Sequence, residues 1–268
     1  MSISEFKHII TDYFDAWGRS FPWRETKDPY KILVSEIMLQ QTQTERVLPR
    51  YNQWLELFPT VDDLANASFD TVLAAWVGLG YNRRAKYLHE TAKIIQTQYN
   101  SLFPMDSEEL QKFPGIGHYT ANAVSTFAFN KPNVFIETNI RSVFIFFFFS
   151  ECENITDREI LERVAETVDK ENPRLWYYAL MDYGADLKRK IPNPNRQASS
   201  YTKQSKFIGS TRQARGSVLR YLAREKSGTS IQIAQSEGVE AHRIEAVLPA
   251  LIKEGMVAEA EGKYFVYS

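Results

Sequence analysis

The chain has 268 residues and a mass of 31.0 kDa, more than one compact domain usually holds, so one large two-lobed domain or two domains are expected. Its 44% apolar and 24% charged residues are those of an average globular protein, which excludes a disordered chain, a collagen-like repeat and a disulfide scaffold. One cysteine, Cys152, supplies neither an internal disulfide nor a thiolate cluster, and the net charge of −1 conceals an uneven distribution, because residues 188–226 hold eleven basic residues against one acid, Glu225.

The opening stretch MSISEFKHIITDYFDAW carries acids inside its apolar run, and no 18-residue apolar segment follows. Neither a signal peptide nor a membrane span is therefore expected, and the setting expected is cytoplasmic and nucleoid-associated. Most of residues 1–187 reads as short amphipathic helices broken by Pro, Gly, Asp and Asn, so the class is mainly α. The periodicity predicts helices over Ser4–Trp17, Pro29–Gln41, Thr44–Phe58, Val61–Ala67, Phe69–Val77, Arg83–Tyr99, Ser107–Phe113, Tyr119–Phe129, Thr138–Phe148, Asp157–Val168 and Pro173–Leu187. VFIFFFF (Val143–Phe149) is apolar on every side and is expected to be buried.

From residue 188 to 210 the composition shifts to Pro, Asn, Ser, Gln and Lys, the mark of a basic loop or linker. Beyond it, TRQARGSVLRYLARE, TSIQIAQSEG and AHRIEAVLPALIKEG read as three helices, and MVAEAEGKYFVYS alternates around Glu261-Gly262 as a β-hairpin does. Residues 211–268 are thus expected to form a small α+β winged-helix domain. Such modules place the second helix of the turn, here His242–Ile252, in the major groove or against a protein partner, and Glu245 beside His242 and Arg243 leaves both open.

The most informative stretch is FPGIGHYTANAV (Phe113–Val124), where Pro-Gly-Ile-Gly separates two helical segments. Gly115 and Gly117 let the backbone approach a ligand, and the amides opening the next helix, from His118 on, form an anion site suited to a phosphate. A tight turn that merely packs inside the protein is the plain alternative. A second hairpin, WVGLGYNRRA (Trp76–Ala85), carries Arg83 and Arg84 after its glycines, and two such grips hold a duplex backbone.

Residues from about Phe21 to Gly184 resemble the helix-hairpin-helix DNA glycosylases of the endonuclease III superfamily, and within it the A/G-specific adenine glycosylases. The resemblance rests on FPWRETKDPYKILVSEIMLQQTQ, FPTVDDLANASFDTVLAAWVGLGYNRRAKYL, FPGIGHYTANAV, FIETNIRSV and YYALMDYGA, met in family order. It implies a two-lobed fold for residues 1–187, with the N-terminal segment packed on residues 133–187 and a six-helix lobe over about residues 25–132. It also implies hydrolysis of the N-glycosidic bond of a base flipped out of double-stranded DNA, by a monomer with no membrane partner, in base excision repair.

Purine departure is helped by protonating the ring nitrogen, so a carboxylic acid with a raised pKa should face the base. Glu36, in SEIMLQQTQ among Ile32, Leu33, Ile37 and Met38, matches the family's catalytic glutamate; an exposed helix-edge charge is the alternative. The oxocarbenium-like sugar calls for an ionised carboxylate. Family members use an aspartate there, whereas this chain has Glu137, one methylene longer, which is also suited simply to starting a helix. Bifunctional relatives place a lysine after the hairpin to form an imine, and here that position is Tyr119, so an abasic site without strand cleavage is expected. Gln40, Gln41 and Tyr81 match residues that enter the DNA beside the lesion and fill the gap, though they would otherwise read as ordinary surface. Trp23 and Tyr30 read as packing behind Glu36.

Two departures bear on the cofactor and the substrate. Most relatives carry four cysteines after the YYALMDYGA region for a [4Fe-4S] cluster, whereas DLKRKIPNPNRQASSYTKQSKF has none, so no cluster is expected and Lys188, Arg189 and Lys190 are left to contact phosphates. The resemblance also implies that the hairpin carbonyls can hold a monovalent cation. Adenine glycosylases append a larger C-terminal domain that recognises 8-oxoguanine, whereas residues 211–268 read as a winged helix, so recognition of 8-oxoguanine opposite adenine is not expected from them. Adenine in a mismatch is the first substrate expected. The alternatives are thymine or uracil opposite guanine, another modified base, including one in foreign DNA, and a DNA-binding protein without catalysis.

Overall fold

The computed structural model describes residues 1–203 and 206–267; residues 204 and 205, within the expected linker, and residue 268, at the end of the expected C-terminal domain, lie outside the described residues. In chain order the helices are α1 (Ile3–Trp17), α2 (Pro22–Glu25), α3 (Pro29–Leu39), α4 (Thr44–Leu57), α5 (Val61–Asn66), α6 (Phe69–Trp76), α7 (Arg83–Tyr99), α8 (Ser107–Leu110), α9 (His118–Phe129), α10 (Thr138–Phe148), α11 (Asp157–Thr167) and α12 (Pro173–Lys190). A 3-10 turn (Pro194–Gln197) follows, then α13 (Thr211–Glu225), β1 (Ser227–Gly228), α14 (Ser230–Glu237), α15 (Ala241–Lys253), β2 (Val257–Ala260) and β3 (Lys263–Val266). Among the described residues no helix is long and apolar enough to cross a membrane.

Local chemistry explains most boundaries. Reciprocal capping boxes start α5 (Thr60, Asp63), α11 (Thr156, Glu159) and α14 (Thr229, Gln232) by satisfying amides that lack a partner within the helix. Left-handed Asn100, Asn130 and Gly238 close α7, α9 and α14.

Several boundaries correct the sequence reading. α3 stops at Leu39 rather than Gln41, because the Arg84 guanidinium takes the carbonyls of Ile37, Met38 and Gln40, and Gln41 turns to φ 54°. Gln40 and Gln41 therefore sit on a turn, not on a helix. Helix α8 ends at Leu110, well before Phe113, whose helical conformation Pro114 disfavours. Lys188, Arg189 and Lys190, expected in a loop, form the last turn of α12, where their charges favour the negative helix end and Pro192 prevents further extension. Of Val143–Phe149 only Val143, Phe144 and Ile145 are buried; Phe146 is exposed and Phe147–Phe149 are intermediate.

The chain divides into two compact units. The first comprises Met1–Glu36, Pro104–Lys112 and Ile116–Lys203. Its core is aromatic: Phe6 lies 5.3 Å from Phe144, 4.9 Å from Phe148 and 5.8 Å from Trp176. Phe127 bridges α9 to Tyr178 of α12 at 4.6 Å and to Phe135 at 6.1 Å. That packing explains why residues 116–132, expected in a separate six-helix lobe, instead join the N-terminal segment. Asn195 is buried and bonds Ser142 Oγ and the Thr138 carbonyl, so part of the expected linker is core to this unit.

The second unit comprises Ile37–Phe103, Phe113–Gly115 and the C-terminal part of the chain. Trp54 and Trp76 meet edge-to-face at 5.4 Å within it. Its C-terminal helices and the antiparallel sheet, ordered β1-β3-β2, form the expected α+β winged arrangement, with Val257 opposite Val266 and a turn through left-handed Glu261 and Gly262. This module is not an appendage beyond a linker. Leu73 of α6 is fully buried in the same apolar cluster as Val218, Leu222, Ile244, Leu248 and Val266, with Phe69 packed against it.

Candidate active site

Glu36 stands in the third turn of α3, only 6% exposed, and the Tyr119 hydroxyl donates to its Oε2 at 2.8 Å. Burial pushes the Glu36 carboxyl up to about 7; the negative field of Glu137 adds to this, while the Tyr119 hydrogen bond and Arg24 pull the other way. Burial and the two neighbouring carboxylates hold the Tyr119 phenol well above its ordinary value, so it remains a donor. A buried carboxyl that exchanges its proton near neutrality, with a fixed donor on one oxygen, is equipped for general acid–base work.

Glu137 is the N-cap of α10, accepting the Asn139 amide at 2.8 Å, the Ile140 amide at 2.9 Å and Asn139 Nδ2 at 3.2 Å. The helix-start reading of this residue is observed, and the cap fixes its carboxyl group within electrostatic range of Glu36. Burial pushes its pKa up, whereas the two amides and Lys188 counter that shift. Lys188 is half-buried, its own pKa lowered by burial against the pull of Glu137, so its charge is directed at this carboxylate. Arg189 and Lys190 are exposed, and Lys190 pairs with Asp186 at 2.7 Å.

One cluster escaped the sequence reading. Asp182, 1% exposed, receives Arg24 Nη1 at 2.8 Å, Arg24 Nη2 at 2.9 Å, and the Arg19 amide and Nε at 2.8 Å each. Burial opposes the charge, but the two arginines hold the Asp182 carboxyl below its ordinary value. The Arg24 guanidinium also lies 4.5 Å over the Tyr178 ring, and its field reaches Glu36. Both residues stand inside the recognised stretches FPWRE and YYALMDYGA, yet nothing in one sequence pairs side chains 158 residues apart.

The hairpin places Gly115, Gly117 and His118 at the surface while Phe113 and Ile116 anchor it inside. Gly115 has φ +72°, and a Cβ there would lie 2.6 Å from the Tyr87 ring, so two constraints demand glycine. Gly117 is the N-cap of α9.

In the second unit, Gln40, Gln41 and Tyr81 line one cavity of about 750 Å³. Arg84 does not serve the phosphate role expected of it. Its guanidinium is buried and hydrogen-bonds the carbonyls of Ile37, Met38, Gln40, Leu79 and Gly80, the means by which the two turns are tied together. Arg83, half exposed, pairs with Glu254.

The cysteine set does not fit an iron-sulfur cluster, since the sole cysteine, Cys152, is exposed and lies outside the basic stretch after α12.

Residues 34–170 match the family model of the HhH-GPD superfamily base excision DNA repair proteins. The chain is 36% identical over 190 residues to an adenine DNA glycosylase of Buchnera aphidicola subsp. Baizongia pistaciae, covering 69% of this chain and 53% of that protein. It is 44% identical over 147 residues to the adenine DNA glycosylase of Mycobacterium tuberculosis, covering 53% and 48%. The chain therefore spans about half the length of these curated relatives. Among solved structures it resembles a thermostable thymine-DNA glycosylase, with a TM-score of 0.63 and 27% identity over 68% of this chain and 86% of that one.

Proposed function

Because the chain belongs to the HhH-GPD superfamily of base excision DNA repair proteins, we propose that it is a monofunctional DNA glycosylase that removes a mismatched, damaged or modified base from double-stranded DNA, adenine first, and leaves an abasic site. The observation that carries this reading is the buried Glu36–Tyr119 pair, with its 2.8 Å hydrogen bond and a carboxyl near pKa 7.

In this mechanism protonated Glu36 gives its proton to a ring nitrogen of the flipped base. The C1′–N bond then breaks, its electron pair leaves with the base, and Glu36 is left as a carboxylate stabilised by the Tyr119 hydroxyl and the Arg24 field. Glu137, whose charged form the two α10 amides favour against burial, stabilises the oxocarbenium-like sugar as a carboxylate. Water attacks C1′ and returns a proton to Glu36. Tyr119 cannot form an imine, so the strand stays intact. The exposed hairpin glycines, His118 and the basic end of α12 are assigned to phosphate contacts, and the protein acts as a monomer.

The likeness to a thymine-DNA glycosylase, of whose chain the match covers 86%, favours a second reading, thymine or uracil opposite guanine. The test incubates wild type and Glu36→Gln with duplexes bearing A, T, U or a modified base opposite G, C or 8-oxoguanine. Breaks that appear only after hot alkali, and vanish in the variant, are expected on A-containing duplexes. Release of T or U alone would select the second reading, and tight binding without any release would replace both with a DNA-binding protein.

A further inference from the structure

The two carboxyls of the site need opposite protonation states, because Glu36 must carry a proton to the base while Glu137 must face the sugar cation as an anion. Burial pushes both upward, and the field of Glu137 makes a second charge on Glu36 costlier still. Some third group has to decide which glutamate keeps the proton. Tyr119 does not decide it correctly: its hydroxyl donates to Glu36 Oε2 at 2.8 Å and favours a charge on Glu36, and the Arg24 field acts the same way.

Most cations near the pair are committed to other carboxylates. Arg24 and Arg19 bond Asp182, Arg141 on α10 itself pairs with Asp157 at 2.8 Å, and Lys190 pairs with Asp186 at 2.7 Å. Arg189 and Arg196 are exposed. Lys188 differs from all of these. Gly184 brings α12 so near to α10 that a Cβ there would lie 2.2 Å from the Asn139 carbonyl oxygen, and Lys188 stands one helical turn further along the same face. Asn195, in the turn after α12, also holds the start of α10, donating to the Thr138 carbonyl at 3.0 Å and to Ser142 Oγ at 2.7 Å, but its amide brings no charge. The half-buried Lys188 ammonium is thereby kept beside the Glu137 cap; burial lowers its pKa, the Glu137 carboxylate raises it in return, and the ammonium favours the charged form of Glu137.

We propose that Lys188 is a positioning residue for the reaction: its ammonium, on the α10 face of α12, places the negative charge of the carboxyl pair on Glu137 and so leaves the proton on Glu36. The proposal rests on the glycosylase reading. Lys188 stays protonated throughout, since the proton given to the base comes from Glu36 and the water that attacks C1′ returns one to it. Arg189 and Lys190, exposed at the same helix end, are left to the phosphates.

The test has two arms. In the first, full-length protein carrying glutamate labelled with 13C at the carboxyl is titrated by NMR as wild type, Lys188→Met and Lys188→Arg, the Glu137 signal being assigned by its loss in Glu137→Gln. The Glu137 inflection should rise by about one pH unit or more in Lys188→Met and stay close to wild type in Lys188→Arg. In the second, single-turnover base release is followed across pH on a duplex from which wild type frees a base. Lys188→Met should lose about tenfold at about pH 5.5 and much less at about pH 7.5, because only the acid side depends on ionising Glu137, and Lys188→Arg should restore the rate. A lysine that only packs would slow the reaction alike at every pH. An unmoved Glu137 inflection in Lys188→Met or a loss of rate uniform across pH would each overturn the proposal. So would a tenfold loss of affinity for an abasic-analogue duplex with the inflection unmoved, which would make Lys188 a phosphate contact. The first arm needs no turnover: a Glu137 inflection that shifts in a protein releasing no base from any duplex would overturn the glycosylase reading, and the reaction role of Lys188 with it, while the charge relation stands.

Discussion

Glu36 is buried where only its protonated form escapes a desolvation cost, and this single fact has consequences for both rate and stability. For rate, the acid is present below about pH 7 and titrates away above it, so single-turnover base release should fall about tenfold per pH unit on the alkaline side. The Tyr119 hydrogen bond favours the carboxylate, so Tyr119→Phe should move that inflection to higher pH; an inflection that stays put or moves down would remove Tyr119 from the role. For stability, the folded pKa of about 7 exceeds the ordinary 4.5, so the folded chain binds more protons than the unfolded one. The favourable contribution is complete below about pH 4.5 and is lost as pH rises through about 7, reaching up to about 3 kcal/mol. Glu36→Gln, which stays neutral, should therefore be more stable than wild type in urea at pH 8 and nearly equal at pH 4.

Elements are set in place by contacts that propensity does not encode. Arg84 belongs to α7, yet it ends α3 and closes the glycine turn by bonding five carbonyls. Arg84→Ala would remove the donor these carbonyls share in a buried setting, with Gln40 and Gly80 keeping the Thr42 hydroxyl and Trp76 Nε1, costing about 3 kcal/mol or more, and Arg84→Lys, with no planar fork, should recover only part of this; chemical denaturation measures both. On α12, a Cβ at Gly184 would lie 2.2 Å from the Asn139 carbonyl oxygen, so α10 can approach α12 this closely only because a glycine stands there. Gly184→Ala should push back the start of α10, and with it the Glu137 cap. Base release should then fall by about a hundredfold with helical circular dichroism unchanged; retained activity would mean that the cap does not position the sugar-facing carboxylate. These cases also mark what sequence discloses. Helix starts with capping boxes, and the glycine hairpins, are readable because their causes lie within a few residues. The ends of α3 and α12 were misplaced because a distant guanidinium, and the tolerance of a helix C-terminus for lysine and arginine, decide them.

Over the whole molecule, the mainly α class and the α+β make-up of the C-terminal part were legible, since recognised motifs and periodicity report local and family-level order. The division into units was not. Membership of a core depends on which distant apolar faces meet, and the basic run of residues 188–226 is read as one solvated or DNA-facing stretch although much of it forms specific ion pairs, such as Lys190–Asp186, Arg215–Glu254, Arg220–Glu237 and Lys226–Asp70. The shared core of α6 with α13–α15 has a thermodynamic consequence. A module attached only by a linker would open independently, but here Leu73 is fully buried among residues of the C-terminal helices, and Lys226 reaches Asp70 on the same α6. Opening the module would expose that face of α6, so the second unit should unfold as one cooperative body. In native-state hydrogen exchange the slowest amides of α13 and α15 should share one opening free energy with those of α6 and α7, and Leu73→Ala should lower all of them together, by about 2–4 kcal/mol. Exchange of residues 211–267 at a lower free energy than α6, unaffected by Leu73→Ala, would instead describe a tethered module.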